Sequence, residues 1–509
     1  MPTDLTLTFI VFAPLIGAVI VLSMPIQNDL HRFRVRTTAL FATALPLLVA
    51  LYDLISAVAS PGAGSIPQPV VDAPWLRSFL FQLDYHLGTD GLNMLLLVAT
   101  TAVFTAVVLA SWRHRERYRT YFALLLLTEV GITGAFATQD LGMFIIFFCW
   151  PVLPLGFLLA LGDTQGSRPA ARRLVVTQSV ASGALIAGTL LLLLRTGNTT
   201  LNFTTLSTVK ALSGTPGLIV ETLFLGAVVA RMGAFPLHRW FVDGVSVAST
   251  PVGMLLAVSS LPVGGYALIR IALAMEPNGA LQLVTPLLAL ALLTLFWGAL
   301  GARAGQELRR IAANSLVAVG GLVIFGAATF SETSLSGAIY ICFAYIFAAP
   351  LLLLVVGAIC DRSLLGRLLP LAGAAASAPR LRLCFVMAAA AFIGIPLLVG
   401  FPGIFEIVIA GLVAHRFVTA FALLGLLLLT SAWWRLGHRV FSTNPDNAEV
   451  VAVPDARGSE FYSAWVLTAG VVLFGLFAGY FIPYTVQGTA LVSARISAVA
   501  PVAPPKAKS

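Results

Sequence analysis

Long apolar stretches recur along the chain at short intervals. They cover 5–24, 37–58, 92–111, 120–138, 140–161, 174–195, 217–236, 248–274, 280–301, 311–330, 334–359, 383–400, 417–436 and 463–484. A helix that crosses a bilayer needs about 20 mostly apolar residues, so the pattern predicts fourteen transmembrane helices. Two runs, 217–236 and 383–400, are closely followed by Pro, Gly and polar residues, in GAFPLHRW and GFPGIFEIVIAG. Both are predicted to be helices broken at membrane depth, where irregular backbone survives only against protein or a polar site. The breaks lie five spans apart. That spacing predicts two inverted five-helix repeats, helices 4–8 over 120–274 and helices 9–13 over 280–436. Helices 1–3 (1–111) precede them, helix 14 (463–484) follows, and 485–509 reads as a flexible tail. All of this forms a single membrane domain, 1–509, whose largest polar segments are 59–90, 361–382 and 437–462.

Composition agrees. Of 509 residues, 59% are apolar and 10% charged, with a mean hydropathy of +0.96. An ordinary soluble domain carries about a quarter charged residues. Such a chain cannot cover its surface with polar groups, which excludes a soluble enzyme, a nucleic-acid binder and a disordered scaffold. The net charge of +9 changes nothing here, because no basic patch is interleaved with aromatics. With an outward N-terminus, twenty-one of the thirty Lys and Arg residues fall on the inner side, seven on the outer side and two, Arg231 and Arg270, within spans. The positive-inside rule then places both termini outside. The first 24 residues lack a basic leading region and a clear cleavage site, and read as a retained first span. Cys149, Cys342, Cys360 and Cys384 form no CxxC pair and read as small buried hydrophobes.

Ionisable groups inside the membrane are costly and are functional candidates by default. Glu129 lies mid-span, Glu221 and Arg231 lie on span 7, His238 and Arg239 follow its break, and Glu406 follows the break in span 12. Each has a structural alternative. Glu129 could hydrogen-bond a neighbouring helix, Arg231 could be the fixed partner of Glu129 or Glu221, and His238 could bond backbone freed at the turn. Asp140, Arg270 and Glu307 lie near span ends, and the first two read as interfacial, reaching headgroups. The only lysines, Lys210, Lys506 and Lys508, lie outside the spans, and His238 is the single histidine at membrane depth. A proton path needs groups that exchange protons near neutral pH; arginine does not.

Several motifs carry a resemblance. FQLDYHLGTDGLNMLLLVATTAVFTAVVLASW (81–112), GAFATQDLGMFIIFFCW (134–150), ARMGAFPLHRWFVDGVSVASTPVGMLLA (230–257), GGYALIR (264–270), LRRIAANSLVAVGG (308–321), LLLLVVGAICDR (351–362) and GIPLLVGFPGIFEI (394–407) stand in order along the chain. They resemble the antiporter-like membrane subunits of NADH-quinone oxidoreductase (respiratory complex I), with YHLGTDGLN pointing to subunit M. The superfamily also includes Mrp-type cation/proton antiporter, membrane-bound hydrogenase and inorganic-carbon uptake subunits. The resemblance implies an all-α polytopic membrane protein that does no redox chemistry itself. NADH, FMN, iron-sulfur and quinone are then expected on partner subunits, with no cofactor or metal in this chain. The implied partners are other membrane subunits and the lipid bilayer, and no nucleic acid. The implied setting is a prokaryotic inner (plasma) membrane.

The family's ion-path residues are largely replaced. Its glutamate on span 5 falls on Pro151, its lysine on span 7 on Arg231 and its lysine on span 8 on Pro262. Its histidines on spans 10 and 11 fall near Ala318 and Ala344, and its charged residue on span 12 near Ile404, one short shift from Glu406. Glu129 matches a position that is often polar in the family. The expectation is a membrane-arm subunit linked to proton translocation, with impaired or altered conduction. The alternatives are a subunit of a related complex, or a structural spacer that does not conduct.

Overall fold

The computed structural model describes residues 5–25, 29–59, 71–78, 81–162, 164–363, 373, 375–442 and 453–499. The expected polar segments 59–90, 361–382 and 437–462 lie partly outside them, as do Arg367, Lys506 and Lys508. Helices dominate, and thirteen among the described residues are long and apolar enough to cross a membrane.

Chain order begins with α1 (Thr6–Ser23) and α2 (Asp29–Ala59). A hairpin follows, β1 (Val71–Arg77) antiparallel to β2 (Gln82–Leu87), with Val71 opposite Leu87 and Arg77 opposite Gln82. This hairpin lies in the expected polar segment 59–90 and is the one sheet among the described residues. Next come α3 (Met94–Ala110) and α4 (Tyr118–Ala137). The run 140–161 is two pieces, α5 (Leu141–Cys149) and α6 (Val152–Ala160), because Pro151 has no N–H to continue the ladder. Then follow α7 (Ser167–Thr196), the short α8 (Phe203–Thr208), α9 (Thr215–Met232), α10 (Arg239–Val247) and α11 (Thr250–Ala267). A π-helical turn, Leu268–Leu273, extends α11. The second half holds α12 (Pro277–Gln282), α13 (Val284–Ala304), α14 (Leu308–Ala328), α15 (Glu332–Ser363), α16 (Pro379–Ile393), α17 (Gly400–Phe441), α18 (Ser459–Leu476) and α19 (Ala478–Val499).

Both expected breaks are present, each earlier than the apolar runs suggested. Helix α9 ends at Met232 and Gly233 takes φ +66°; α16 ends at Ile393 and Gly394 takes φ +81°. Positive φ is cheap only for glycine, so these two residues set where each helix stops. Each is followed by an outward-facing Pro-Leu pair, Pro236–Leu237 and Pro396–Leu397. At 15 residues α16 is about 22 Å long, too short to span alone, which accounts for thirteen qualifying helices against fourteen expected spans. Helix α17 completes that span and then bends at His415, where φ −144° and ψ 61° leave the helical region.

The tail reading is corrected for 485–499. That stretch is helical, and Thr485, Thr489, Val492 and Ile496 recur on one buried face of α19. Residues 500–509 lie outside the described residues. Helices α11 and α15 are wholly enclosed, with α3 and α14 nearly so, while α2, α17 and α18 expose most of their apolar surface. A helix that is apolar all round and still exposed belongs against lipid or another membrane subunit.

Candidate ion-path site

The break after α9 presents Arg231. Peptide groups freed at a helix end need partners, and here they have them. The Ala230 carbonyl accepts from Trp240 Nε1 at 2.8 Å and Gln178 Nε2 at 3.2 Å. Arg231, fully enclosed at 2% exposure, turns toward the α5–α6 break. Its Nη2 donates to the Phe148 carbonyl, and its Cζ stands 3.9 Å from the centre of the Phe148 ring. Its Nε has no partner. On the other side of the break, α4 packs Gly131 so closely that a Cβ there would meet Pro151 Cδ at 2.7 Å. Trp150 Nε1 donates to the Leu127 carbonyl at 2.9 Å, which fastens α4 to the same turn.

Arg231 therefore reaches the turn where the resemblance places a glutamate, and finds a carbonyl and a ring. None of the ion pairs among the described residues includes Arg231, Glu129, Glu221 or Glu406. The reading of Arg231 as the fixed partner of Glu129 or Glu221 is corrected accordingly. Glu129 is fully buried in α4 with both carboxyl oxygens unpartnered, so the reading that it hydrogen-bonds a neighbouring helix is corrected as well.

The other candidates are dispersed. His238 accepts at Nε2 from Trp297 Nε1 at 2.9 Å, and its ring lies 6.0 Å from that of Phe235. Its partner is thus an indole rather than freed backbone. Trp297 and Leu237 are exposed, so His238 sits at the rim of the bundle. Glu406 faces α15, where Ser336 bonds its carboxyl and Ser336 Oγ lies 2.8 Å from Thr485 Oγ1 of α19. Glu221 lies ten residues before Arg231 in α9, about 15 Å along the helix. It faces α12, where a Cβ on Gly279 would meet Glu221 Cβ at 2.5 Å.

A polar cluster beside α11 was not anticipated. Arg270, in the π-helical turn, pairs with Asp90 Oδ2 at 2.7 Å and donates to Gln139 Oε1, with Cζ 5.0 Å from the centre of the Phe203 ring. Asp90 and Asn93 cap each other: Asp90 Oδ1 accepts from the Leu92 and Asn93 amides, and Asn93 Oδ1 accepts from the Asp90 amide at 2.7 Å. Asn93 Nδ2 reaches the Gly88 and Phe136 carbonyls. This is the work of the LGTDGLN segment. Arg270 is thus paired inside the protein and does not reach for headgroups. Asp140 is a fully buried helix cap, accepting from the Gly142 and Met143 amides, and is no headgroup contact either. Nearby His86 Nδ1 lies 2.7 Å from Asn202 Nδ2. Burial pushes its imidazole down from the ordinary value, against the pull of Asp72 and Asp84. No cluster of three or more metal-ligating side chains occurs among the described residues.

Comparison with known proteins gives this geometry its context. Residues 138–430, which include both breaks, match the NADH:quinone oxidoreductase/Mrp antiporter transmembrane family. The chain is 30% identical over 319 residues to NAD(P)H-quinone oxidoreductase chain 4 1 of Picosynechococcus sp., covering 63% of this chain and 60% of that one. It is 30% identical over 323 residues to NAD(P)H-quinone oxidoreductase chain 4 of Gloeobacter violaceus, with the same coverage of 63% and 60%. The match thus spans about three fifths of the length of these relatives. In fold, the chain is similar to a chain of respiratory complex I from Thermus thermophilus, with a TM-score of 0.85 at 24% identity over 97% of this chain and all of that one. A chain of the Mrp complex from Dietzia sp. gives 0.82 at 22% over 98% and 100%. By the span and order of these matches, the chain belongs to the NADH:quinone oxidoreductase/Mrp antiporter transmembrane family.

Proposed function

We propose that the chain is a membrane-arm, antiporter-like subunit of a complex I-type quinone oxidoreductase that no longer carries protons by the family's relay. The observation that carries this reading is Arg231. It is enclosed, holds no carboxylate, and is spent on the carbonyl and ring of Phe148 beside Pro151. A lysine can change its charge when its surroundings change, whereas a guanidinium keeps its proton. Arg231 is therefore a fixed charge and an anchor between α9 and α5. Neither Glu129 nor Glu406 has an ion-pair partner among the described residues, and no lysine lies within the spans.

The two NAD(P)H-quinone oxidoreductase relatives support the assignment to a quinone-reducing assembly. In that setting NADH, FMN, iron-sulfur and quinone sit on partner subunits, and the exposed apolar helices meet lipid and neighbouring membrane subunits. The inverted repeat, 120–274 against 280–436, is supported by the matched Gly and Pro-Leu signals at the two breaks. The excess of inner-side arginine supports an orientation with both termini outside, within what we take to be a prokaryotic plasma membrane.

Mild-detergent purification of the tagged chain, followed by mass spectrometry, tests the assembly. Quinone-reductase subunits are expected. Recovery of antiporter, hydrogenase or carbonic-anhydrase-like partners overturns it. Potential-driven proton flux into proteoliposomes tests the loss of the relay. Flux at the level of empty vesicles is expected, and flux that survives Glu129→Gln with Glu406→Gln sinks the reading.

A further inference from the structure

The start of α9 and the loop before α12 bring two buried carboxyls together. Glu221 and Glu276 are both fully inaccessible. The backbones around them touch: a Cβ on Gly217 would meet Glu276 Oε2 at 3.3 Å, and one on Gly279 would meet Glu221 Cβ at 2.5 Å and the Gly217 carbonyl at 2.8 Å. Both glycines are needed for this approach. Neither Glu221 oxygen has a partner, and the charge that acts on Glu221 is that of Glu276. The Glu276 carboxyl accepts one amide, Leu212 N–H, at 3.1 and 3.3 Å to its two oxygens.

Among the described residues, Arg495 is the cation that acts on Glu276. Arg495, from α19, donates to the carbonyls of Leu206, Val209 and Met275 at 2.9, 3.0 and 3.1 Å. That places it beside Glu276, and each feels the other's charge. Burying an unpaired charge is costly, and two carboxylates against one guanidinium leave one negative charge unbalanced. A single proton balances the set.

We propose that Glu221 and Glu276 form a proton-binding carboxyl pair at the start of α9, holding one proton between them with Arg495 as the third charge. The site is separate from the Arg231 turn and does not depend on which assembly holds the chain. Loading adds one proton from water to a carboxylate oxygen, and unloading returns it. Glu276 is the member outside the spans. Burial pushes its carboxyl up to about 7, although the Leu212 amide and Arg495 pull it down. Within this proposal Glu276, outside the spans, is the exchanging member of the pair.

Infrared difference spectroscopy of the full chain in lipid nanodiscs, from pH 5 to 9, tests the pair through the carbonyl stretch of protonated carboxyl groups. A band that disappears with a midpoint near neutrality is expected. Glu221→Gln and Glu276→Gln should each remove or shift that same band, and the double variant should add nothing further. Arg495→Met should raise the midpoint by about one pH unit or more, while Arg495→Lys, which keeps the charge, should hold it near the original value. Sodium chloride in place of potassium chloride should leave the midpoint unmoved. Additive, independent losses in the two glutamine variants overturn the pair, as does a midpoint indifferent to Arg495→Met in folded protein. A sodium-specific shift overturns the assignment to a proton.

Discussion

Arg231 sits 3.9 Å from the centre of the Phe148 ring and donates to the carbonyl of that same residue. Both acceptors are neutral. A guanidinium held this way gains a charge-assisted hydrogen bond and a cation–π contact, and still bears the cost of burial without a counter-ion. Arg231→Met should therefore leave the thermal midpoint of the purified chain unchanged or raise it, by up to about 2 kcal/mol in stability. Arg231→Lys should lower it, because an ammonium cannot lie flat on the ring while reaching the carbonyl. A thermal-shift series in detergent reads both, and the opposite order contradicts this account of the contact.

Asp90 and Arg270 are paired at 2.7 Å with side chains less than one-fifth exposed. Removing one partner strands the other. Asp90→Ala is expected to cost about 3–5 kcal/mol. The double change Asp90→Asn with Arg270→Gln should cost much less than the sum of its parts. A double-variant thermal cycle with no coupling energy disproves the pairing.

Gly91 packs against the backbone of α19. A Cβ there would meet the Tyr484 carbonyl oxygen at 1.9 Å, and backbone cannot yield as a flexible side chain can. Gly91→Ala should displace α19 and cost at least about 2 kcal/mol. Gly226, inside α9, meets nothing within 4 Å. Gly226→Ala should be neutral or gain up to about 1 kcal/mol, from helix propensity alone. Protease protection of α19 distinguishes the two.

Glu276 carries a pH signature. Its folded carboxyl is pushed up to about 7 from an ordinary 4.5, so between those values the folded chain binds more protons than the unfolded one. Stability from this group is complete below about 4.5 and is lost as pH rises toward 7. The thermal midpoint should fall between pH 5 and pH 8 by more in the unchanged protein than in Glu276→Gln. Equal slopes count against it. His86, lowered by burial, works in the other direction, with stability gained as pH rises through its folded value toward 6.5.

Much of the fold was legible in the chain, for physical reasons. Apolar length reports membrane crossing directly, and glycine before Pro-Leu reports each break. The break positions are less legible, because an apolar loop has the same composition as the helix it interrupts. The helical character of 485–499 was missed although Thr485, Thr489, Val492 and Ile496 keep helical spacing; their mixed polarity hid it. The resemblance implies replacement of the relay at Pro151 and Arg231, while nothing in the sequence announces the landing point of Arg231 on Phe148. The pairing of Asp90 with Arg270 joins residues 180 positions apart, and no local pattern announces it. Glu276 lies between two apolar runs with nothing local to single it out, and only folding brings it to the start of α9.

Helix α19 has one more consequence, in the order of synthesis. Tyr484 donates to the Ala57 carbonyl, Thr489 to that of Glu332, and Arg495 to those of Leu206, Val209 and Met275. These acceptors lie at positions 57, 206, 209, 275 and 332, and the donors leave the ribosome after all of them. Until α19 is made, these carbonyls lack the side-chain donors that the fold gives them. Closure of that face thus has to wait for α19, and synthesis halted before residue 484 would leave the preceding helices unfastened along that edge.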